Sequence, residues 1–162
     1  MKHTYLSMIS VIDHLHRQFL DLISAELERI SVQDINSIQT NILFNIGTAE
    51  LTVGELTLRG CYLGSNVSYN VKKLVEANYL MQQRSAHDRR SVRVRLSPKG
   101  LALCAKIDAM HDRHLAELAE GPIDAATVAD TLATLRRFDR FWSRMAEQPA
   151  GRPIPAFAYR AA

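Results

Sequence analysis

Asp88-Arg89-Arg90-Ser91-Val92-Arg93-Val94-Arg95-Leu96-Ser97-Pro98-Lys99-Gly100 changes its period in mid-course. Val92, Val94 and Leu96 alternate with Ser91, Arg93 and Arg95, the spacing of a strand that buries one face and wets the other. Ser97-Pro98 then starts a helix, with serine as the cap and proline at the first helical position, where its missing N–H costs nothing. Upstream, Leu80-Met81-Gln82-Gln83-Arg84 reads as a partner strand. Residues 85–90 become the polar, basic tip of a hairpin.

Moving towards the N-terminus, Thr52-Val53-Gly54-Glu55 is a capping box that opens a short helix ending near Gly60. After a connection over 60–64, Ser65 is the expected cap of a second helix running to about Ala77. Asn78 then suits a left-handed helix end. Two short helices joined by a glycine-bearing turn read as a helix-turn-helix.

Longer helices flank this middle. Tyr5, Met8, Ile12, Leu15, Phe19 and Leu22 recur at steps of three and four along a helix over 5–30, a narrow seam suited to packing along another helix. Ser31 is the expected cap of the next helix, with Asp34 in its first turn, and Ile35, Ile38, Ile42 and Ile46 form its apolar face. Beyond Gly100, Leu103, Ile107, Met110, His114 and Leu118 mark a helix that stops at Gly121-Pro122. Asp124 caps a last one carrying Val128, Leu132, Leu135, Phe138, Trp142 and Met145. The tail from Gln148 is proline-bearing and expected to be irregular. The chain thus divides into a helix over 1–30, a lobe over 31–100, two helices over 101–147 and a tail over 148–162. The end helices carry more apolar surface than one lobe can cover, so two copies are expected to pair through them; a monomeric bundle is the alternative.

The 162 residues are 47% hydrophobic and 23% charged, ordinary for a soluble domain. No stretch is apolar for long enough to span a membrane, no export signal leads the chain, and two cysteines, Cys61 and Cys104, fit reduced thiols in a cytoplasm. Both are expected to be small buried thiols. The net charge of +3 hides an uneven distribution. Nine basic and two acidic residues lie between Arg59 and Gly100, leaving a net −4 elsewhere. A basic middle in an acidic surround points to a localised polyanion site, although a merely solvated face would also carry such charge.

On a helix from 65 to 77, Val67, Val71, Leu74 and Val75 gather on one side. Asn66, Tyr69 and Lys73 lie opposite, with Ser65, Ser68, Asn70 and Lys72 around them. Amides can pair with adenine edges, lysines can reach guanine or phosphate, and a helix N-terminus at Ser65 can meet a phosphate oxygen. Arg84, Arg89, Arg90, Arg93 and Arg95 of the hairpin are expected to reach phosphates or a minor groove. Asp88 is expected to shape the tip by pairing with Arg90. Double-stranded DNA is the expected partner. A protein–protein adaptor has little need of such charge, whereas an architectural DNA binder would fail to discriminate against random duplex.

No glycine-rich phosphate loop, serine elbow or standout carboxylate pair suggests an enzyme. His111 and His114, one turn apart, are weak as metal ligands, as are His14 and His16. No metal or cofactor is assigned.

The order of elements and three motifs resemble the MarR family of bacterial winged-helix regulators, over roughly residues 1–147. The motifs are Leu51-Thr52-Val53-Gly54-Glu55-Leu56, then Val67-Ser68 with Val71-Lys72-Lys73-Leu74, then the stretch from Asp88 to Gly100, which resembles the family's Asp-x-Arg wing tip, alternating strand and Leu-Ser/Thr-x-x-Gly helix start. Cys61 to Val71 is similar to an alphaproteobacterial subgroup, some of whose members regulate cell-wall-remodelling genes. The resemblance implies a mostly α fold: a winged helix-turn-helix with a two-stranded β-wing between N- and C-terminal dimerisation helices. It implies a homodimeric repressor on an inverted-repeat operator, released by a small aromatic or anionic effector. His16, Phe19, Thr40 and Phe44 are the residues such an effector would meet, with a plain core role as the alternative. The family's peroxide-sensing branch has a reactive cysteine in its first helix, absent here. Tyr69 stands where family members usually carry arginine, so no base contact carries over at that position.

Overall fold

A computed structural model describes residues 1–60, 64–84 and 92–147. Helix α1 (Lys2–Arg29) ends where Ser31 enters the left-handed region at φ 56°. The Val32 amide reaches back to the Leu27 carbonyl at 2.8 Å and the Ser31 amide to Glu28 at 3.0 Å, so Ser31 closes α1 in a Schellman motif. It therefore does not cap the next helix, as its residue type suggested. Asn36 caps α2 (Ser37–Ile46): its side chain accepts from the Gln39 amide at 2.9 Å, and Gln39 accepts from the Asn36 amide at 3.1 Å. Asn36→Ala is expected to cost about 1 kcal/mol in urea denaturation, as for other N-caps; an unchanged midpoint would refute the assignment. Ile35, Ile42 and Ile46 are buried, whereas Ile38, expected beside them, is exposed.

Strand β1 (Leu51–Thr52) leads into α3 (Val53–Gly60). The expected capping box is present: the Glu55 amide donates to Thr52 Oγ1 at 3.1 Å and the Thr52 amide to Glu55 Oε2 at 2.7 Å. Helix α4 (Gly64–Glu76) takes Gly64 into its first turn, so Ser65 lies inside the helix rather than at the cap. Asn78 closes α4 at φ 63°, with the Tyr79 amide bonded to the Leu74 carbonyl at 2.8 Å.

Strands β2 (Leu80–Arg84) and β3 (Val92–Leu96) form the expected antiparallel pair, with Gln82 opposite Val94. The sheet has a third member. β1 pairs with the other edge of β3, Leu51 opposite Val94, giving the order β1-β3-β2. Ser97 caps α5 (Pro98–Ala119) as expected, accepting from the Gly100 amide at 3.0 Å. Asp124 caps α6 (Ala125–Glu147) through the Thr127 amide at 2.7 Å.

One core joins these elements: Ile23 and Leu27 of α1, Ile42, Leu43 and Ile46 of α2, Leu56 of α3, Val67, Val71 and Leu74 of α4, Val94 and Leu96 of β3, and Leu103, Ile107 and Met110 of α5. Glu26 is buried beside it at 5% exposure. Arg29 grips its carboxylate with two bonds of 2.7 Å, and Arg113 of α5 adds one of 2.8 Å.

The seam of α1 does not all enter this core. Leu15 and Leu22 are exposed, as are Val128, Leu132, Leu135, Phe141 and Met145 of α6. The ends of α1 and α6 meet through the Trp142 indole, which donates to the Tyr5 hydroxyl at 2.8 Å, and through Phe138, which lies 6.4 Å from the Tyr5 ring. A largely apolar groove of about 920 Å³ opens between them, lined by Met8, Phe138 and Phe141 among others. No helix among the described residues is long and apolar enough to cross a membrane.

Candidate nucleic-acid interface

Burial divides α4 as its helical wheel requires. Val67, Val71 and Leu74 are 0 to 5% exposed, and Val75 is partly buried against the core. Asn66, Ser68, Tyr69, Lys72 and Lys73 face solvent, with Asn70 half-buried at the edge. Tyr69 is 62% exposed, which wets a large ring that the core could have used. Lys73 lies 6.0 Å from the centre of that ring and 3.0 Å from Glu76, so its charge is partly engaged along its own helix. The Asn70 side-chain Nδ2 donates to the Asn66 backbone carbonyl at 2.8 Å. Lys72 is looser, 3.9 Å from Glu76. Exposed pairs of this kind are weak and screened by solvent, so both lysines can turn to a phosphate at small cost.

On the wing, Arg84 ends β2 opposite Val92. Arg95 is exposed and Arg93 half-buried, on the face opposite the buried Val94 and Leu96. Glu50 shares a small cleft with both arginines and Gln83, an acid beside the basic strand that the charge count had assigned to the surround. The expected contacts of Arg89 and Arg90, and the shaping role of Asp88, lie outside the described residues, as does Cys61.

A contact missed in the sequence, among Asp34, Tyr79 and Lys99, completes the lobe. Asp34, expected only as a first-turn acid, accepts from Lys99 Nζ at 2.6 Å and from the Tyr79 hydroxyl at 2.8 Å. Burial alone would raise the Asp34 carboxyl, but the bonds from Lys99 and Tyr79 outweigh it and leave it lower than usual. The bond to Asp34 lifts Lys99 in turn. Lys99, counted in the basic stretch, is therefore committed internally. No local spacing signals this, because the partners are 65 residues apart.

The four effector candidates are not brought together. Phe19 stacks on His111 with ring centres 6.0 Å apart, and Phe44 meets the same imidazole edge-on at 5.5 Å. His16 lines a separate cleft of about 210 Å³ with Ile38, Asn41, Asn66 and Asn70. Thr40 is buried, its hydroxyl donating to the Asn36 carbonyl at 3.0 Å. Burial, then His114, lowers the His111 pKa against the pull of Asp108 and Asp112. Cys104 is partly buried, and burial, then Asp108, pushes its thiol up to about 11, so little thiolate is present near neutral pH. Among the described residues no group of three or more His, Cys, Asp or Glu could hold a metal ion.

Residues 35–100 match the model of the winged helix DNA-binding domain. The exopolysaccharide II synthesis transcriptional activator ExpG of Rhizobium meliloti is 38% identical over 143 residues, covering 88% of this chain and 74% of that protein. Among solved structures, Staphylococcus aureus MarR in complex with salicylate and kanamycin superimposes with a TM-score of 0.72 at 20% identity, over 89% of this chain and 95% of the other. Streptococcus pneumoniae FabT in complex with DNA gives 0.71 at 18% identity, over 87% and 99%.

Proposed function

Since this chain belongs to the MarR family of winged-helix DNA-binding transcriptional regulators, we propose that it binds an inverted-repeat operator as a homodimer, with α4 in the major groove and the β2–β3 wing alongside. The observation that carries this reading is the division of α4, whose Val67, Val71 and Leu74 are buried while Asn66, Ser68, Tyr69, Lys72 and Lys73 face solvent, on a lobe whose strand β3 also exposes Arg95. A regulator of this kind works on the chromosome, which supports a cytoplasmic location and no catalytic role. The exposed apolar faces of α1 and α6 support pairing of two copies, which divides the chain into a DNA-reading lobe over 31–100 and dimer helices on either side.

Selection of bound fragments from random duplex DNA tests the reading. A dimer should return half-sites about one helical turn apart, and sedimentation should give twice the chain mass. Recovery of unrelated fragments, or a monomer, would refute it. Within this reading Arg89→Ala is expected to weaken binding several-fold on every sequence and to flatten the salt dependence, its slope falling by about one for each phosphate no longer neutralised. Tyr69→Ala should change which sequences are preferred. Gel shifts across salt concentrations separate the two; unchanged affinity for Arg89→Ala would remove the wing from the interface.

Repression is the expected sign where the operator overlaps a promoter. The relative named as an activator favours a second reading, in which the dimer binds upstream and leaves the promoter free. A reporter with the selected operator at each position decides by rising or falling on expression of the protein. The effector class in our reading is a small aromatic or anionic molecule, supported by the staphylococcal structure with salicylate and by Phe19 and Phe44 flanking His111. Salicylate titrated into the complex should release the DNA; no release up to millimolar concentration would count against it.

A further inference from the structure

Three consecutive carbonyls at the end of α4 are taken by the start of α5. Lys99 Nζ donates to Ala77 O at 3.0 Å, the Ser97 hydroxyl to Asn78 O at 2.6 Å, and the Ser97 amide to Tyr79 O at 3.0 Å. Lys99 also lies 4.0 Å above the centre of the Tyr79 ring. Asp34, from the connection between α1 and α2, ties the Lys99 ammonium and the Tyr79 hydroxyl together. Three segments distant in sequence thus meet at the C-terminal end of the helix proposed to read DNA. A cation placed there also complements the negative end of the helix dipole.

An ammonium has three donors. Two are spent on Asp34 and Ala77 and the remaining face lies over an aromatic ring, so Lys99 has little left for a phosphate. The connection carrying Asp34 follows directly from α1, and Lys99 opens α5. Both are helices that we propose to carry the pairing of subunits. The geometry points to Lys99 and Asp34 as positioning residues for DNA recognition, which hold α4 at a set angle to the pairing helices without touching DNA. The inference rests on the DNA-binding function proposed for this lobe.

The test uses the full-length dimer and the fragment it selects from random duplex. Lys99→Met keeps an unbranched side chain, one atom shorter, and removes its charge, and Asp34→Asn keeps its shape. The pair is 47% and 48% exposed, so it contributes little to stability and both variants should fold; thermal melts are run beside each titration. Each is expected to weaken binding about tenfold, the range typical of residues that couple distant elements. The salt slope should stay unchanged, and the preference for the selected half-site spacing over one with an inserted base pair should shrink. The double variant should be no weaker than either single one, because the two act as a unit. Tyr79→Phe, which removes only the hydroxyl, should move spacing preference the same way by less.

A loss of fold stability alone would leave salt slope and spacing preference at their wild-type values well below the melt. A slope reduced by about one per subunit in Lys99→Met would make Lys99 a phosphate contact and overturn the inference. Tighter binding with a steeper slope in Asp34→Asn would overturn it too, since Asp34 would then only be silencing a DNA cation. Wild-type affinity and spacing preference in both variants would also end it, while leaving the DNA-binding function intact. If the wild-type dimer selects no fragment, that function fails and takes the junction with it.

Discussion

Gly100→Ala is expected to destabilise the protein by roughly 3 kcal/mol, the upper range for forcing a methyl group into a filled site. A Cβ built on Gly100 would lie 2.3 Å from the Tyr79 carbonyl oxygen and 3.3 Å from Leu96 Cδ2. The first neighbour is backbone and cannot rotate away. Nor can it retreat freely, because that carbonyl accepts the Ser97 amide, and its neighbours Ala77 and Asn78 are bonded to Lys99 and Ser97. Relief requires moving the start of α5 from the end of α4, at the expense of several bonds together. The glycine is there for room, since its φ lies outside the positive range. For a chain of this size the midpoint of thermal unfolding should fall by roughly 6–12 °C. Gly54→Ala is the control. Its new methyl would meet nothing nearer than Thr52 Oγ1 at 3.9 Å on an exposed turn of α3, so it should raise stability by up to about 1 kcal/mol. A midpoint within about a degree of wild type for Gly100→Ala would mean that α4 and α5 are less closely joined than this geometry requires.

That junction also marks where the sequence stops being readable. Ser97, Pro98, Asp124 and the Thr52–Glu55 box declare helix starts through partners no more than three residues away, and the structure has each of them. The face of α4 was legible for the same reason, since a 3.6-residue period separates Val67, Val71 and Leu74 from Asn66, Tyr69 and Lys73. β1 was not, because two residues cannot display an alternation. Ser31 misled because serine is favoured at a helix start and uncommon in the left-handed closing position it takes here; the Asn36-x-x-Gln39 spacing held the better signal and was available. Asp34 with Lys99, and Glu26 with Arg113, join residues 65 and 87 positions apart, which no local pattern encodes. What the sequence did offer for Glu26 was an anomaly: a carboxylate between Ile23 and Leu27 on the buried side of α1, which needs a partner.

Glu26→Gln is expected to cost about 2–3 kcal/mol at neutral pH, and the cost should shrink in acid. The carboxylate is almost wholly buried, and its bonds to Arg29 first, then to Arg113, hold its pKa at about 2 against the upward push of burial. A folded pKa below the unfolded value of 4.5 means that the ion favours the folded state. Its contribution is fully present above about pH 5 and is lost as pH falls from about 4.5 towards 2. The shift sets a ceiling near 3 kcal/mol. Removing one member of a fully buried pair costs about 3–5 kcal/mol, but both guanidiniums are half in water, at 59% and 50% exposure, so the lower figure applies. Urea titrations of both proteins at pH 7 and pH 3.5 test the sign. By linkage, the wild-type advantage should narrow by about 1.4 kcal/mol at the lower pH. A gap independent of pH would mean that Glu26 acts by packing, with its charge irrelevant. Arg113→Ala should cost less than Glu26→Gln, because Arg29 still satisfies the carboxylate. The site matters for more than stability: N-terminal to Ile23, no residue of α1 is fully buried. The Glu26–Arg113 bond, close to where α1 leaves the core, therefore helps to set the angle at which that helix leaves the lobe.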